Sequence, residues 1–133
     1  MEPVFAFICD FADASGGKIN ALGIGFDNIY AKEVPATHPH FYLVLKLRAD
    51  AAEAGDKDIR INLIDADGQD VIEPVRGVQI VPRPSGSTET TATLVVGFSN
   101  VQFQKFGPHS LHVVIQGNTM ARINLTVARS KGA

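Results

Sequence analysis

His40-Phe-Tyr-Leu-Val-Leu-Lys-Leu-Arg48 is the segment of this sequence in which alternate side chains separate most clearly into two rows. One row is entirely apolar, and it consists of Phe41, Leu43, Leu45 and Leu47. The other row runs from His40 to Arg48 and includes charged side chains. Side chains of an extended chain point alternately to opposite faces, so this period of two indicates a β-strand with one buried face. We predict that the segment forms a central strand of the fold.

The same alternation recurs along the rest of the 133-residue chain, interrupted by turn-forming glycine, proline and aspartate. About eight segments have this pattern, and none has sustained helical periodicity. We therefore predict one all-β domain over residues 1–133, with a flexible tail over 129–133. The predicted architecture is an antiparallel β-sandwich with immunoglobulin-like or C2-like Greek-key connections. A closed β-barrel is the alternative, since both folds are built from the same alternating strands.

Residues 18–31 are predicted to form a single strand in which Leu22, Ile24 and Phe26 face inward. Two glycines separate these apolar residues and give a Gly-x-Gly pattern. The pattern does not indicate a phosphate-binding loop, because no third glycine follows and no helical pattern comes after it. Glycines within a strand are more typical of a bulge or of close approach by another backbone.

Three further local patterns make specific predictions. Residues 51–55 read as a short helical turn or a loop that ends at glycine, and Gly117-Asn118 reads as the turn of a closing hairpin. His109 has the same parity as Leu111 and is therefore predicted to face inward.

Composition and charge limit the classes of function. The formal net charge of −2 disfavours nucleic acid or an anionic membrane as a partner. The single cysteine, Cys9, excludes an internal disulfide framework and is typical of a reducing compartment. No signal peptide or long apolar run is visible, so we expect a cytoplasmic protein.

Charge is unevenly distributed along the chain. After Glu89 there is no acidic residue, and the only charged side chains are basic. One interpretation is that this distribution arises by chance in a C-terminal half that is largely apolar. The other is a weakly positive strand pair that meets an acidic surface on another copy of the chain.

Several segments together resemble a family of small bacterial β-sandwich proteins known only as a domain of unknown function. The resemblance spans nearly the whole chain. It rests on Phe5-Ala-Phe-Ile-Cys-Asp10, Gly17-Lys-Ile-Asn20, His38-Pro-His-Phe-Tyr-Leu43, Leu63-Ile-Asp-Ala-Asp-Gly68 and the Phe103…Gly107…Gly117 hairpin. It implies a stand-alone β-sandwich, and it brings with it no established activity or catalytic residue.

Few residues are candidates for binding a metal. Asp13, Asp65 and Asp67 are weak candidates, because end loops of a sandwich can bring oxygen ligands around calcium. His38 is a weak candidate as an imidazole ligand near the same loops. Asp65 and Asp67 also fit an ordinary Asp-Gly turn, and the sequence has no EF-hand glutamate or helix pair. His40 and His112 share outward parity and would converge on a metal if their strands were neighbours. Surface histidine is the alternative interpretation, and we predict no metal and no cofactor.

No combination of residues in the sequence indicates catalysis. Cys9 has inward parity and is interpreted as a buried, inert thiol. No serine lies in a Gly-x-Ser-x-Gly motif, and no base is paired with a nucleophile by spacing. We therefore expect that the protein is not an enzyme.

Two functional hypotheses remain. The first is a non-catalytic interaction or structural module that self-associates or docks onto a larger assembly. It is suggested by outward rows that contain apolar residues such as Val44 and Val114, and by the edges of an open sandwich. The alternative is a small-ligand or calcium-dependent binding module that uses the end loops.

Overall fold

The computed structural model describes residues 1–130 and consists almost entirely of β-strands. Within this range, no helix has the length and apolar character that a membrane crossing requires. The elements are β1 (Glu2–Cys9), β2 (Phe11–Ser15), β3 (Lys18–Leu22), β4 (Asn28–Ala31), β5 (Ala36–Asp50), a 3₁₀ helix (Ala51–Glu53), β6 (Gly55–Asp65), β7 (Val75–Val81), β8 (Glu89–Phe103), β9 (Gly107–Ile115) and β10 (Asn118–Arg129).

The strands form two large sheets and one hairpin. One sheet has three strands in the order β1-β5-β8, and the other has five in the order β4-β10-β9-β6-β7. The hairpin is β2-β3, and every pairing is antiparallel except that of β4 with β10. Over residues 1–130 both large sheets keep free edge strands. The predicted all-β sandwich is therefore confirmed, and the closed barrel is wrong.

The predicted organising strand lies inside β5, at the centre of the three-stranded sheet. Its apolar row is fully buried and meets the inward rows of β6, β9 and β10. Burial of one leucine side chain contributes about 1.5–3 kcal/mol, so this layer is the main stabilising element of the fold. Its largest fully buried members are Phe41, Phe103, Ile8, Leu43, Leu45, Leu47, Ile61, Leu63, Ile115, Val81 and Val113.

A second, smaller apolar cluster lies on the other side of the three-stranded sheet. There the β2-β3 hairpin folds over the sheet and buries Cys9, Ala12 and Val44. Tyr42 and Val95 pack against this cluster. The apolar part of the outward row of β5 is thus covered by the chain itself, so it is not an apolar surface left over for a partner.

Residues 18–31 do not form the predicted single strand. β3 ends at Leu22, and a turn anchored by a hydrogen bond from the Gly25 N–H to the Ile8 carbonyl precedes β4. Leu22 is 68% exposed and Ile24 is 59% exposed, so their predicted inward orientation is wrong. Gly23 has φ 69°. A side chain there would collide with the carboxylate of Asp10, which accounts for the glycine.

The other local predictions are largely confirmed. Residues 51–53 form a 3₁₀ helix, which Asp50 caps in a capping box with Glu53. His109 is buried, and its ring packs edge-on against Phe103. The closing hairpin turns at residues 116 and 117, both with positive φ, which is one residue earlier than predicted.

The C-terminal end of β10 is held by several contacts. The guanidinium of Arg129 lies 4.4 Å from the ring centre of Phe106 and donates a hydrogen bond to the carbonyl of Lys32. The Ser130 N–H donates to the carbonyl of Ala31. Of the predicted flexible tail over 129–133, residues 131–133 lie outside the described residues.

Candidate functional site

The outer face of the five-stranded sheet, called the open face below, is the candidate site. Inward side chains of its strands build the core, so the alternate side chains of the same strands point away from it. The described elements place no strand over this face. Its outward side chains include Arg60, Asn62, Arg76, Val78, Ile80, Ser110, His112, Val114, Arg122 and Asn124.

Ser110 and His112 form a hydrogen-bonded pair on β9, in the middle of the open face. The Ser110 Oγ lies 2.8 Å from the His112 Nε2, and Ser110 is only 7% exposed. Burial, and then the positive charge of Arg122, lower the pKa of His112. The lowered pKa favours the uncharged imidazole at neutral pH, whose unprotonated ring nitrogen accepts a hydrogen bond.

Neighbouring strands place further polar groups beside this pair. Asn62 on β6 and Arg122 on β10 lie directly opposite His112, and Asn124 lies opposite Ser110. The Oδ1 atom of Asn62 is buried and accepts no hydrogen bond from residues 1–130. Among the same residues, no carboxylate forms a hydrogen bond with His112. The cluster can therefore bind a polar or charged group, but it lacks an acidic residue to orient the imidazole as a base.

Arginines of the open face lack ionic partners. Arg60 and Arg76 lie directly opposite each other on β6 and β7, and neither forms an ion pair within the described range. Like charges directly opposite across two strands are destabilising. A surface cavity of about 300 Å³ lies between them, and Asp58 and Val114 also line it.

A second cavity, of about 320 Å³, opens at the other end of the open face. The side chains of Ser110, Arg122 and Asn124 line one wall. The turn that follows β6, from Asp65 to Gly68, lines the other. The cavity therefore joins the polar cluster to a loop end of the sandwich.

The edge strand β7 gives the open face an apolar border. Val78 is 59% exposed and Ile80 is 65% exposed, and both point outward on the same side as Arg76. Proline at positions 74 and 82 bounds this strand. The border is therefore a short edge with two large exposed aliphatic side chains.

Asp65 and Asp67, two of the predicted metal candidates, are brought together by a lysine. The Lys105 Nζ lies 2.7 Å from the Asp67 Oδ2 and 3.3 Å from the Asp65 Oδ2. The Asp65 Oδ1 accepts hydrogen bonds from the backbone N–H groups of Asp67 and Gln69. The bond from Gln69 is the largest cause of the lowered pKa of Asp65. Ammonium and backbone donors thus satisfy the pair in the way expected of a structural turn.

The other two metal candidates lie in different parts of the fold. Asp13 lies on the β2-β3 hairpin and accepts a hydrogen bond from the Asn20 side chain at 3.0 Å. His38 lies near the start of β5, with its ring beside Phe26 and Phe41, and burial is the main cause of its lowered pKa. Residues 1–130 contain no group of three or more His, Cys, Asp or Glu side chains arranged to bind a metal.

Two other sequence interpretations are decided by the structure. His40 lies on the outer face of the three-stranded sheet and His112 on that of the five-stranded sheet, so the idea that they converge on a metal is wrong. Cys9 is fully buried, as predicted, but it lies beneath the β2-β3 hairpin on the outer side of the three-stranded sheet, so its predicted inward direction is wrong. Burial, and then the nearby charge of Asp10, raise the pKa of its thiol. The thiolate is the reactive form, so the raised pKa opposes reactivity.

Sequence reasoning did not single out Asn62, Ser110 or Arg122 as site residues. All three alternate with core residues, so their outward direction can be read from the sequence. Their proximity depends on how β6, β9 and β10 pair, which alternation does not specify.

A family model described as "Family of unknown function (DUF6941)" matches residues 4–128. No curated protein matches the chain at a significant level.

Solved structures give weak similarities. One is a β-glucosidase from Listeria innocua in complex with isofagomine, with a TM-score of 0.44 and 13% identity. The match covers 80% of this chain, which spans only 15% of the glucosidase chain. Another is the Pseudomonas fluorescens alkylpurine DNA glycosylase AlkC bound to DNA containing an abasic site analog, with a TM-score of 0.37 and 13% identity. That match covers 75% of this chain and 27% of the glycosylase chain. At these TM-scores the similarities carry no inference about activity, substrate or partner.

Proposed function

The chain belongs to the DUF6941 family of unknown function, and we propose that it is a non-catalytic interaction module that pairs with a second copy of itself through β7. The observation that carries this proposal is the exposure of Val78 and Ile80 on an edge strand of the larger sheet. An edge strand presents unpaired backbone N–H and C=O groups, and exposed apolar side chains beside them favour pairing with another strand.

The edges of the sandwich are not equally available for pairing. β1 carries Glu2 and Pro3 near its start and a register shift at Val4, all of which hinder regular pairing. β4 has only four residues, and β8 contains a residue of positive φ, Asn100, which interrupts its regular extended backbone. β7 has seven residues with no proline or bulge inside it, which favours it as the pairing edge.

Charge complementarity favours a second copy as the partner. In a two-fold antiparallel pairing centred on Val78, Arg76 lies in line with Asp56 of the second copy, with Ile80 of that copy between them. In a pairing centred on Gly77, Arg76 lies in line with Asp58 of the second copy. Strands are about 4.8 Å apart, so the two Cα atoms would lie about 10 Å apart, within the combined reach of the side chains. Either register places an acidic residue of the second copy near Arg76, which lines a cavity with Asp58 but forms no ion pair within residues 1–130.

The non-catalytic part of the proposal is supported by the polar groups of the open face and by Cys9. Within residues 1–130, no carboxylate forms a hydrogen bond with His112, and the thiol of Cys9 is buried with a raised pKa. We also infer a cytoplasmic location, which the single free cysteine supports.

Light scattering coupled to size-exclusion chromatography tests the pairing across micromolar concentrations. The expected mass is twice the 14.2 kDa of one chain. The double variant Val78→Lys, Ile80→Lys should be monomeric, because two ammonium groups at the edge oppose pairing. The matched control is the double variant Leu22→Lys, Ile24→Lys, which places the same two charges on comparably exposed residues away from β7 and should stay dimeric. A monomeric wild type, or a dimer that survives the double substitution, would refute the proposal.

Charge exchange tests the proposed geometry of the dimer. Arg76→Glu alone and the double variant Asp56→Arg, Asp58→Arg alone should both weaken dimerisation. Combining all three substitutions should restore it, since the charges are then exchanged. Failure of the combined variant to recover would exclude both registers.

A further inference from the structure

We propose that the cavity beside Ser110 and Arg122 binds the anionic group of a small molecule, a carboxylate or a phosphate. The site is lined by residues of β9, β10 and the C-terminal end of β6, and the edge strand β7 contributes none of the lining residues. It is therefore separate from the proposed dimer edge, and either proposal can fail without the other.

Arg122 is the main reason for assigning an anion to this cavity. Its side chain is exposed, lines the cavity and forms no ion pair within residues 1–130. Arg48 and Lys105, in contrast, are paired with Glu2 and Glu89 and with two aspartates. Arg60 and Arg76 share the lack of an ion pair within residues 1–130, but they do not line this cavity. A planar guanidinium presents paired N–H donors that match carboxylate and phosphate oxygens.

Among residues 1–130, Asp65 is the one acidic residue that lines the cavity, and its carboxylate already has hydrogen-bond donors. The Asp65 carboxylate accepts from Lys105 through one oxygen and from two backbone N–H groups through the other. These donors offset its negative charge, so it opposes an incoming anion much less than a free carboxylate would. Asp65 and Arg122 form no ion pair, because Asp65 is paired with Lys105. Asp65 therefore does not compete with an anion for the guanidinium of Arg122.

Ser110 and His112 supply a hydrogen bond that can reverse direction. In the tautomer of the uncharged imidazole that carries its proton on Nδ1, the Ser110 hydroxyl donates to the His112 Nε2, 2.8 Å away. Within residues 1–130, two charged groups face the imidazole. Arg122 of β10 lies directly opposite His112, and Arg60 of β6 lies opposite Val114, two residues further along β9. Asn62 of β6, which also lies opposite His112, is uncharged. A bound anion beside Arg122 would offset this positive field and favour protonation of the imidazole. The protonated Nε2–H then donates to the Ser110 Oγ, and the hydroxyl hydrogen becomes free to donate to the anion.

The size and lining of the cavity indicate a small ligand. A volume of about 320 Å³ is at the lower end of the range for small-molecule sites. Asn124 adds an amide that can donate or accept at the same wall, whereas Ile64 and Pro108 offer limited apolar contact. The pattern fits a compact, charged molecule better than an extended apolar one.

Calorimetric titration of the full chain with inorganic sulfate, which has the shape of phosphate, and separately with lactate as a carboxylate, tests the site at pH 6 and pH 7.5, because neither anion changes its charge between these two values. Saturable one-site binding of either probe is expected, stronger at pH 6, and the preferred probe identifies the anion class. Arg122→Gln should weaken binding roughly tenfold or more, because it removes a charge-assisted hydrogen bond. The matched control is Arg83→Gln, in the loop that follows β7, which should bind like the wild type.

His112→Gln separates the two parts of the proposal. It should retain binding but lose the difference between the two pH values, while a thermal melt confirms that each variant is folded. Absence of saturable binding by the wild type with both probes, or an equal loss in Arg83→Gln, would overturn the proposal. A pH difference that persists in His112→Gln would exclude the coupled hydrogen-bond reversal.

Discussion

The two outer faces of this sandwich arise from the same strand alternation but differ in what covers them. On the three-stranded sheet, the outward residues Cys9 and Val44 lie beneath the β2-β3 hairpin and are fully buried. On the five-stranded sheet, the outward residues Asn62, His112 and Arg122 remain on an open face. The covered face has an apolar cluster, and the open face has charged and hydrogen-bonding groups.

The difference shows how the composition of an outward row determines its role. Apolar surface removed from water stabilises the fold by about 25 cal/mol per Å², so an apolar outward row gains by recruiting a third layer. Burying an unpaired arginine would instead cost free energy, so a row that contains Arg60 and Arg122 stays in contact with solvent. Polar groups that the fold leaves without partners are then available to a ligand or to a second chain.

The largest expected effect on the free energy of unfolding comes from placing a charged residue at matched positions on the two outer faces. Val44→Asp should lower the free energy of unfolding by about 3–5 kcal/mol, because the carboxylate would be buried without a partner. Val114→Asp, on the half-buried open face, should cost about 1 kcal/mol. Urea denaturation followed by circular dichroism measures both.

If Val44→Asp fails to fold, the stability of Val44→Thr is compared with that of the matched variant Val114→Thr, by the same reasoning. Val44→Thr keeps the shape of the side chain and buries one hydroxyl, at a cost of about 1–3 kcal/mol. Equal losses for the Val44 and Val114 variants would show that the hairpin does not seal the outer face of the three-stranded sheet in solution.

A smaller effect is expected from adding one methyl group on the covered side. A Cβ at Gly97 would lie 2.8 Å from the Cε2 of Tyr42, whose half-buried ring lies across the glycine. Gly97→Ala should therefore cost about 1–2 kcal/mol through overpacking. The control is Gly77→Ala on β7, where the nearest atom, in Ile59, is 3.8 Å away. Its thermal midpoint should be unchanged or slightly higher, and an equal loss in both variants would contradict packing of Tyr42 on Gly97.

The smallest effect is a dependence of stability on pH that involves the open face. The pKa of His112 is lower in the folded chain than its ordinary value of 6.5, because of burial and then Arg122. The unfolded chain therefore takes up the proton first as the pH falls, and the free energy of unfolding declines below pH 6.5. His38 has a pKa shifted in the same direction, mainly by burial, and adds to this decline.

Denaturant titrations at pH 5, 6 and 7.5 in anion-poor buffer measure this dependence. His112→Gln should reduce the loss of stability at pH 5, and His40→Gln on the other sheet is the control. A slope unchanged by His112→Gln would show that this histidine does not titrate with a lowered pKa.

The sequence determined the direction of side chains where a strand is long and its two rows differ. The apolar row of β5, the outward parity of His112 and the inward parity of His109 all agree with the structure. An incorrect direction would expose leucine or bury charge, so the alternation of residue types itself specifies these positions.

Predictions of side-chain direction from the alternating pattern were wrong where a turn interrupts the strand. Leu22 and Ile24 follow the same period of two as a buried strand, yet a glycine turn packed against Asp10 places both at the surface. The backbone hydrogen bonds that hold this turn reach back to β1 and to Asp10, which the sequence around residue 23 does not reveal.

By itself, the sequence determined an all-β chain, the rows that build its core and the absence of a recognisable catalytic motif, because strand alternation is a local property. Only the tertiary structure decided that the β2-β3 hairpin covers one outer face, that Lys105 joins Asp65 to Asp67 and that Arg122 lies beside Ser110 and His112. These arrangements join residues that are distant along the chain. They depend on which strands pair and on which sheet each strand joins, and that choice is made by the packing of the whole core.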